Sequence, residues 1–219
     1  MLLVPALVVA IVFHEVAHGL AAKALGDPTA SERGRLTFNP IKHVDPVGTL
    51  LVPGGLLLMG APAFGWAKPV PVNKYRLRNP RWGMMAVAAA GPAMNFALAA
   101  IGAVVLGLIA AVWGYPEPGN VSIVVEALSM FLLINIFLGM FNLLPIPPFD
   151  GSHIVGGLLP GKLRFYWERI QRFGIVLILG VIGYSWVFGT GWLEVTVLPL
   201  VEGAMDIYIG LADMIAQSF

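Results

Sequence analysis

The chain has 219 residues, 58% of them hydrophobic and only 11% charged, with a formal net charge of +1 and a mean hydropathy of +0.84. A soluble domain carries about 25% charged residues, and one of this size has no interior large enough to hide so much apolar surface, so the composition excludes a soluble globular protein and specifies a polytopic membrane protein. The near-neutral charge gives no sign of a nucleic-acid partner, and the lack of cysteine removes disulfides and thiolate ligands together, so any metal must use His, Asp or Glu.

Apolar stretches fall at 2–25, 47–66, 84–113, 121–144, 173–189 and 195–216. The first is long enough to span a bilayer as a helix. It has no basic leader, and His14, Glu15 and His18 interrupt it, so it reads as a retained span and not as a cleaved signal peptide. Those three side chains form H-E-x-x-H. On a helix, residues four apart share a face, so His14 and His18 can reach one metal ion, and Glu15, one step round, can approach a water on it. His14 lies roughly 20 Å along such a helix, at a depth where an ionisable group costs on the order of 3 kcal/mol unless it is paired or wetted. Three together need a compensating partner, and a divalent metal is one.

The connections are read from their basic residues. Arg33, Arg35 and Lys42 lie in 26–46; Lys68, Lys74, Arg76, Arg78 and Arg81 in 67–82; Lys162, Arg164, Arg169 and Arg172 in 145–172; the connections at 114–120 and 190–194 hold none. The positive-inside rule puts the three basic connections in the cytoplasm. Residues 47–66 then begin and end on one side. They are also poor helix material, with Pro53, Gly54, Gly55, Gly60, Pro62 and Gly65, and the expected form is a re-entrant or hairpin element covered by protein. Residues 35–38 and 69–73 border it, and each is expected as a short strand whose edge could take up an extended peptide. Spans at 84–113, 121–144 and 173–189 alternate outward, inward and outward. The last stretch carries Glu202, Asp206 and Asp213 on one helical face, and either crosses or lies on the outer surface. The expected fold is thus an all-α polytopic membrane protein of about five to six transmembrane helices, with a re-entrant or β-hairpin element after the first helix, in a single domain over 1–219.

Two histidines do not complete a catalytic zinc site, which usually has three protein ligands and a water. The candidates for the third are Asp150, His153, His43, Asp45 and Glu126. Asp150 is favoured: Pro145, Pro147 and Pro148 before it stop a helix and hold the chain extended, and Gly151 after it permits a close turn. The alternative is that Asp150 caps a short helix at 151–159. Asn95, Asn135 and Asn142 are amides in apolar stretches and each needs a partner. Asn95 and Asn135 read as ties between helices; Asn142 reads equally as a tie or as a donor to a substrate carbonyl or oxyanion.

In chain order, HEVAH (14–18), GPAMN (91–95) and NLLPIPPFDG (142–151) together resemble the site-2 protease family of intramembrane zinc metalloproteases. GRLTFNPIKHVDPVGTL and FGWAKPVPVN match the style of its compact prokaryotic branch, which has no PDZ or CBS domain. The resemblance covers most of residues 1–160, leaving about 161–219 as accessory helices. It implies one Zn2+ per chain held by His14, His18 and Asp150, Glu15 as catalytic acid/base, and Asn142 near the active site. It also implies a prokaryotic cell-membrane location, a site within the bilayer toward the cytoplasm, and the transmembrane segment of another membrane protein as substrate. Two other readings stay open at this point: a membrane metal transporter or sensor, and an inactive relative that binds membrane helices without cutting them.

Overall fold

The protein is described here from a computed structural model covering residues 2–60, 65–114 and 122–218; Pro62 of the expected re-entrant element and most of the connection at 114–120 lie outside them. Among the described residues all regular structure is helical, with no strand. In chain order the helices are α1 (Leu3–Ala24), α2 (Thr29–Glu32), a 3-10 turn (Pro40–His43), a π turn (Pro46–Leu51) running into α3 (Val52–Leu58), α4 (Pro80–Trp113), α5 (Ile123–Asn142), α6 (Asp150–Leu158), α7 (Gly161–Gln171), α8 (Gly174–Phe188), α9 (Trp192–Thr196) and α10 (Leu198–Gln217).

Three helices, α1, α4 and α5, are long and apolar enough to cross a membrane, and α7 with α8, joined at a 66° bend, makes a fourth if the pair is one span. Among the described residues, length and composition thus support three to four of the expected five to six spans. The difference lies partly in α10, which has the length, at 20 residues, but carries Glu202, Asp206 and Asp213.

The 34-residue α4 is the centre of the bundle and packs against α1, α5, α6 and α10. Its buried face is a line of small residues, among them Ala88, Gly91, Asn95, Ala99, Gly102, Ala103, Gly107 and Ala110. Where neighbouring helices gain little from hydrophobic burial, such a line lets backbones approach and van der Waals contact hold them. A Cβ at Gly107 would lie 2.5 Å from the Ala212 carbonyl oxygen of α10, and one at Gly102 2.7 Å from Leu132 of α5. The larger core closes beside this helix, where Ile136, Phe149, Ile178, Ile182, Val197 and Val201 meet Ala99.

Two sequence expectations are corrected. Residues 46–58 are helical despite their Pro and Gly content. Pro46 stands at the start of the π turn, where a missing N–H breaks no bond, the Asp45 side chain caps the N–H groups of Val47 and Gly48 at 2.9 and 2.7 Å, and Pro53 falls where the π turn passes into α3, with the Gly48 carbonyl taken by Trp66 N–H. Residues 35–38 and 69–73 are not strands. In 69–73, Pro69 and Pro71 have no N–H to give a ladder, Val70 N–H is given to the Glu15 carboxylate at 2.7 Å, and Asn73 N–H to the Asp27 carboxylate at 2.6 Å. Beyond α3, Gly60 takes a positive φ of +71°, and the chain comes back to its start: Trp66 N–H donates to Gly48 O at 3.0 Å and Lys68 N–H to His43 O at 2.8 Å.

Candidate metal and catalytic site

His14 and His18 lie on successive turns of α1, and both rings are buried with exposures of 6% and 9%. The helix explains their facing, and α4 explains their rotation. Asn95, fully buried on α4, donates its amide Nδ2 to Ala10 O at 3.2 Å and Asn135 Oδ1 at 3.0 Å. A carbonyl oxygen can only accept, so this fixes the amide orientation and turns Asn95 Oδ1 toward His14 Nδ1, at 2.6 Å. His14 Nδ1 must therefore carry the proton. The same logic applies to His18, whose Nδ1 lies 2.7 Å from Val87 O. Both imidazoles are held as Nδ1–H tautomers, and both present a bare Nε2.

Asp150 is the first residue of α6. The capping alternative is not what the structure shows: Phe149 occupies the cap position and no side chain caps the helix. Asp150 Oδ2 instead lies 3.1 Å from His14 Nε2 and 3.3 Å from His18 Nε2, and the two Nε2 atoms are 3.0 Å apart. An Nδ1–H leaves each Nε2 free either to take a second proton and pair with Asp150 Oδ2 or to bind a metal. A carboxylate and two imidazoles converging this closely in a buried place need a cation among them, and a proton or a divalent metal meets that need. The spacing suits zinc: bonds of about 2.0–2.2 Å in a tetrahedron place neighbouring ligand atoms about 3.3–3.5 Å apart. His14, His18 and Asp150 form the one group among the described residues with metal-ligand geometry.

α4 makes room for this centre with an absent side chain. A Cβ at Gly91 would stand 2.5 Å from His18 Nε2 and 2.6 Å from His14 Cε1. Glu15 is half-buried, and its Oε2 accepts the Val70 N–H.

The other expected ligands lie elsewhere. His153 is 3.4 Å from the Gln171 amide, His43 Nε2 is 2.9 Å from Thr37 O, Asp45 caps the π turn, and Glu126 is in the first turn of α5. Asn142, half-buried at the end of α5, donates Nδ2 to Leu138 O of its own helix at 2.9 Å. Sequence reasoning read Asn95 only as a tie between helices. It is a tie, to Ala10 and Asn135, and it also orients the His14 imidazole. Its place in GPAMN, eight residues after the backbone carbonyl that orients His18, was the available signal.

Comparison with known proteins agrees with this geometry. Residues 2–181 match the model of peptidase family M50. The chain is 40% identical over 178 residues to the Bacillus subtilis protein named "Putative zinc metalloprotease YwhC", covering 81% of this chain and 78% of that one. It is 29% identical over 167 residues to "Putative zinc metalloprotease Rip2" of Mycolicibacterium smegmatis, covering 76% of this chain and 60% of the relative. No solved structure matches. With an H-E-x-x-H helix, a convergent carboxylate and a family match over most of its length, the chain belongs to peptidase family M50, the site-2 protease family of zinc metalloproteases.

Proposed function

We propose that the protein is an intramembrane zinc endopeptidase that hydrolyses a peptide bond within the transmembrane segment of another membrane protein. The observation that carries this reading is the convergence of His14, His18 and Asp150 beside Glu15 on a helix apolar enough to span the bilayer. Bound zinc there supplies Lewis acidity, which acidifies a water and polarises a carbonyl. Glu15, steadied at Oε2, accepts the proton of the attacking water and returns it to the leaving amide nitrogen. Asn142 retains a second amide hydrogen to offer the substrate carbonyl or the oxyanion formed from it. A substrate helix has its carbonyls in hydrogen bonds and must unwind before attack.

The basic connections at 26–46, 67–82 and 145–172 favour a cytoplasmic side for the site. Residues 46–60 fit a re-entrant element: they are apolar and too short to cross, and the chain after them returns to Gly48.

The test uses purified protein co-reconstituted into liposomes with a set of tagged single-span segments. Wild type is expected to hold near-stoichiometric zinc and to cut at least one segment inside its apolar stretch. Glu15→Gln should keep the zinc and lose about 10²–10⁴-fold in rate. A Glu15→Gln protein that cleaves normally rules out the assigned proton carrier.

A further inference from the structure

Glu15 is a long side chain on a helix face, free to sample several rotamers unless something holds it. What holds it is one backbone N–H, that of Val70, at 2.7 Å from Oε2. Val70 sits between Pro69 and Pro71, so its amide is the sole N–H of the three residues. Preceding a proline, it is confined to extended backbone. This short strap lies on the face of α1 that carries Glu15. Gly19, one turn further on, has no side chain, and a Cβ there would meet Leu36 and come within 3.0 Å of Val70 Cγ1.

The strap has a second anchor three residues along. Asp27, just past the end of α1, is fully buried, an expensive place for a carboxylate. Its Oδ1 accepts the Thr29 N–H at 3.0 Å and the Thr29 hydroxyl, its Oδ2 accepts the Asn73 N–H at 2.6 Å, and the Arg76 guanidinium stands 4.0 Å away. The Arg76 guanidinium continues to the Glu32 carboxylate, at 2.5 and 2.7 Å. A stiff segment with few N–H groups is therefore hung between two carboxylates at opposite ends of one stretch of chain.

We infer that Asp27 is a positioning residue for Glu15. By gripping Asn73 it holds the Val70 N–H against Glu15 Oε2, and so fixes the carboxylate that carries protons in the reaction. The inference rests on the proteolytic reading for what Glu15 does, but the coupling of Asp27 to Val70 is measurable without any substrate.

Full-length wild type, Asp27→Asn and Gly19→Ala are compared in nanodiscs. The readouts are bound zinc, residue-resolved amide hydrogen exchange over 66–75, and cleavage of the single-span segment that wild type cuts fastest. Asp27→Asn is expected to retain its zinc while Asn73 and Val70 both exchange at least about tenfold faster, with kcat down about 10- to 100-fold and KM little changed. Gly19→Ala, whose Cβ would meet Leu36 and press on Val70 Cγ1 at 3.0 Å from the face of α1 that carries Glu15, should free Val70 with Asp27 intact; where Asp27→Asn does not fold it decides whether a freed Val70 lowers kcat, and an unchanged kcat overturns the inference. Faster exchange at Asn73 with Val70 unchanged overturns the inference and leaves Asp27 a loop staple. Zinc lost in step with activity, or an unchanged kcat despite a freed Val70, overturns it too. If wild type binds zinc but cuts no segment, the proteolytic reading fails, and exchange at Val70 alone decides whether Asp27 holds the strap on Glu15.

Discussion

A single amide decides which way the His14 imidazole is turned and that its Nδ1 carries a proton. Asn95 Oδ1 takes the His14 Nδ1 proton because Asn95 Nδ2 is committed to Ala10 and Asn135. Asn95→Leu keeps the volume and removes the acceptor, so a buried N–H is left unpaired and the ring is free to adopt the wrong tautomer. Zinc affinity should fall about 10- to 100-fold, measured by competition with a chromophoric chelator; unchanged affinity would show that packing alone sets the imidazole. Asp27 is a residue-scale case of another kind. Burial opposes its ionisation, but the Thr29 hydroxyl, the Asn73 and Thr29 N–H groups and Arg76 outweigh this and hold its carboxyl below the usual carboxylate range. A depressed folded pKa stabilises the fold fully above the unfolded value and loses that contribution as pH falls through the folded value. The stability gap between wild type and Asp27→Asn, on the order of 2 kcal/mol at neutral pH, should therefore be flat down to the ordinary carboxylate range and close below it. Thermal unfolding of both proteins across that range measures it, and a gap that widens in acid contradicts the assignment. His14, Glu15 and His18 were legible in the sequence because their spacing is local. Asn95 was legible only as a tie between helices, and Asp27 not at all, because their further partners, His14 and Asn73, lie on other segments.

At the scale of elements, the apolar runs translated into helices with ends shifted by a few residues: 2–25 became Leu3–Ala24, and 173–189 became Gly174–Phe188. Composition sufficed there, since a bilayer-length apolar run has few alternatives to helix. It failed at 69–73, where alternating Pro and Val suggests a strand by pattern, and two of the three N–H donors, those of Val70 and Asn73, go to carboxylates that no local pattern reveals. α4 shows why a helix can need a weak helix former. Gly91→Ala should improve intrinsic propensity by about 1 kcal/mol, yet its methyl group would stand 2.5 Å from His18 Nε2. The expected result is a variant whose gain in propensity is cancelled by the strain of that overlap, which costs about 1–3 kcal/mol, and whose bound zinc drops well below one per chain. Full zinc occupancy in that variant would mean α4 can back away, and that the bare backbone at 91 is not what shapes the site.

Over the whole molecule, the metal centre joins parts of the chain that otherwise meet through α4. α1 and α6 each pack on α4, and His14 and His18 from one face Asp150 from the other across a gap of 3.1 and 3.3 Å. Without zinc, a proton on one Nε2 is what can pair that buried carboxylate with an imidazole across the gap. Zinc does more than enable chemistry here: by binding the folded arrangement and not the unfolded one, it stabilises the fold by linkage. At free zinc a thousandfold above its dissociation constant the gain is about 4 kcal/mol, which corresponds to a Tm rise on the order of 10 °C for a chain of this size. Chelation should lower the Tm of wild type by that much, and readdition of zinc should restore it. Asp150→Ala separates the two contributions. It should lose the zinc-dependent rise, since the third ligand is gone, and its metal-free form should melt below metal-free wild type, because a protonated imidazole then loses the carboxylate that pairs with it. If metal-free Asp150→Ala melts at or above metal-free wild type, no proton bridges Asp150 to His14 and His18 and the three groups are held together by zinc alone. If it keeps the full zinc-dependent rise, the third ligand is another residue.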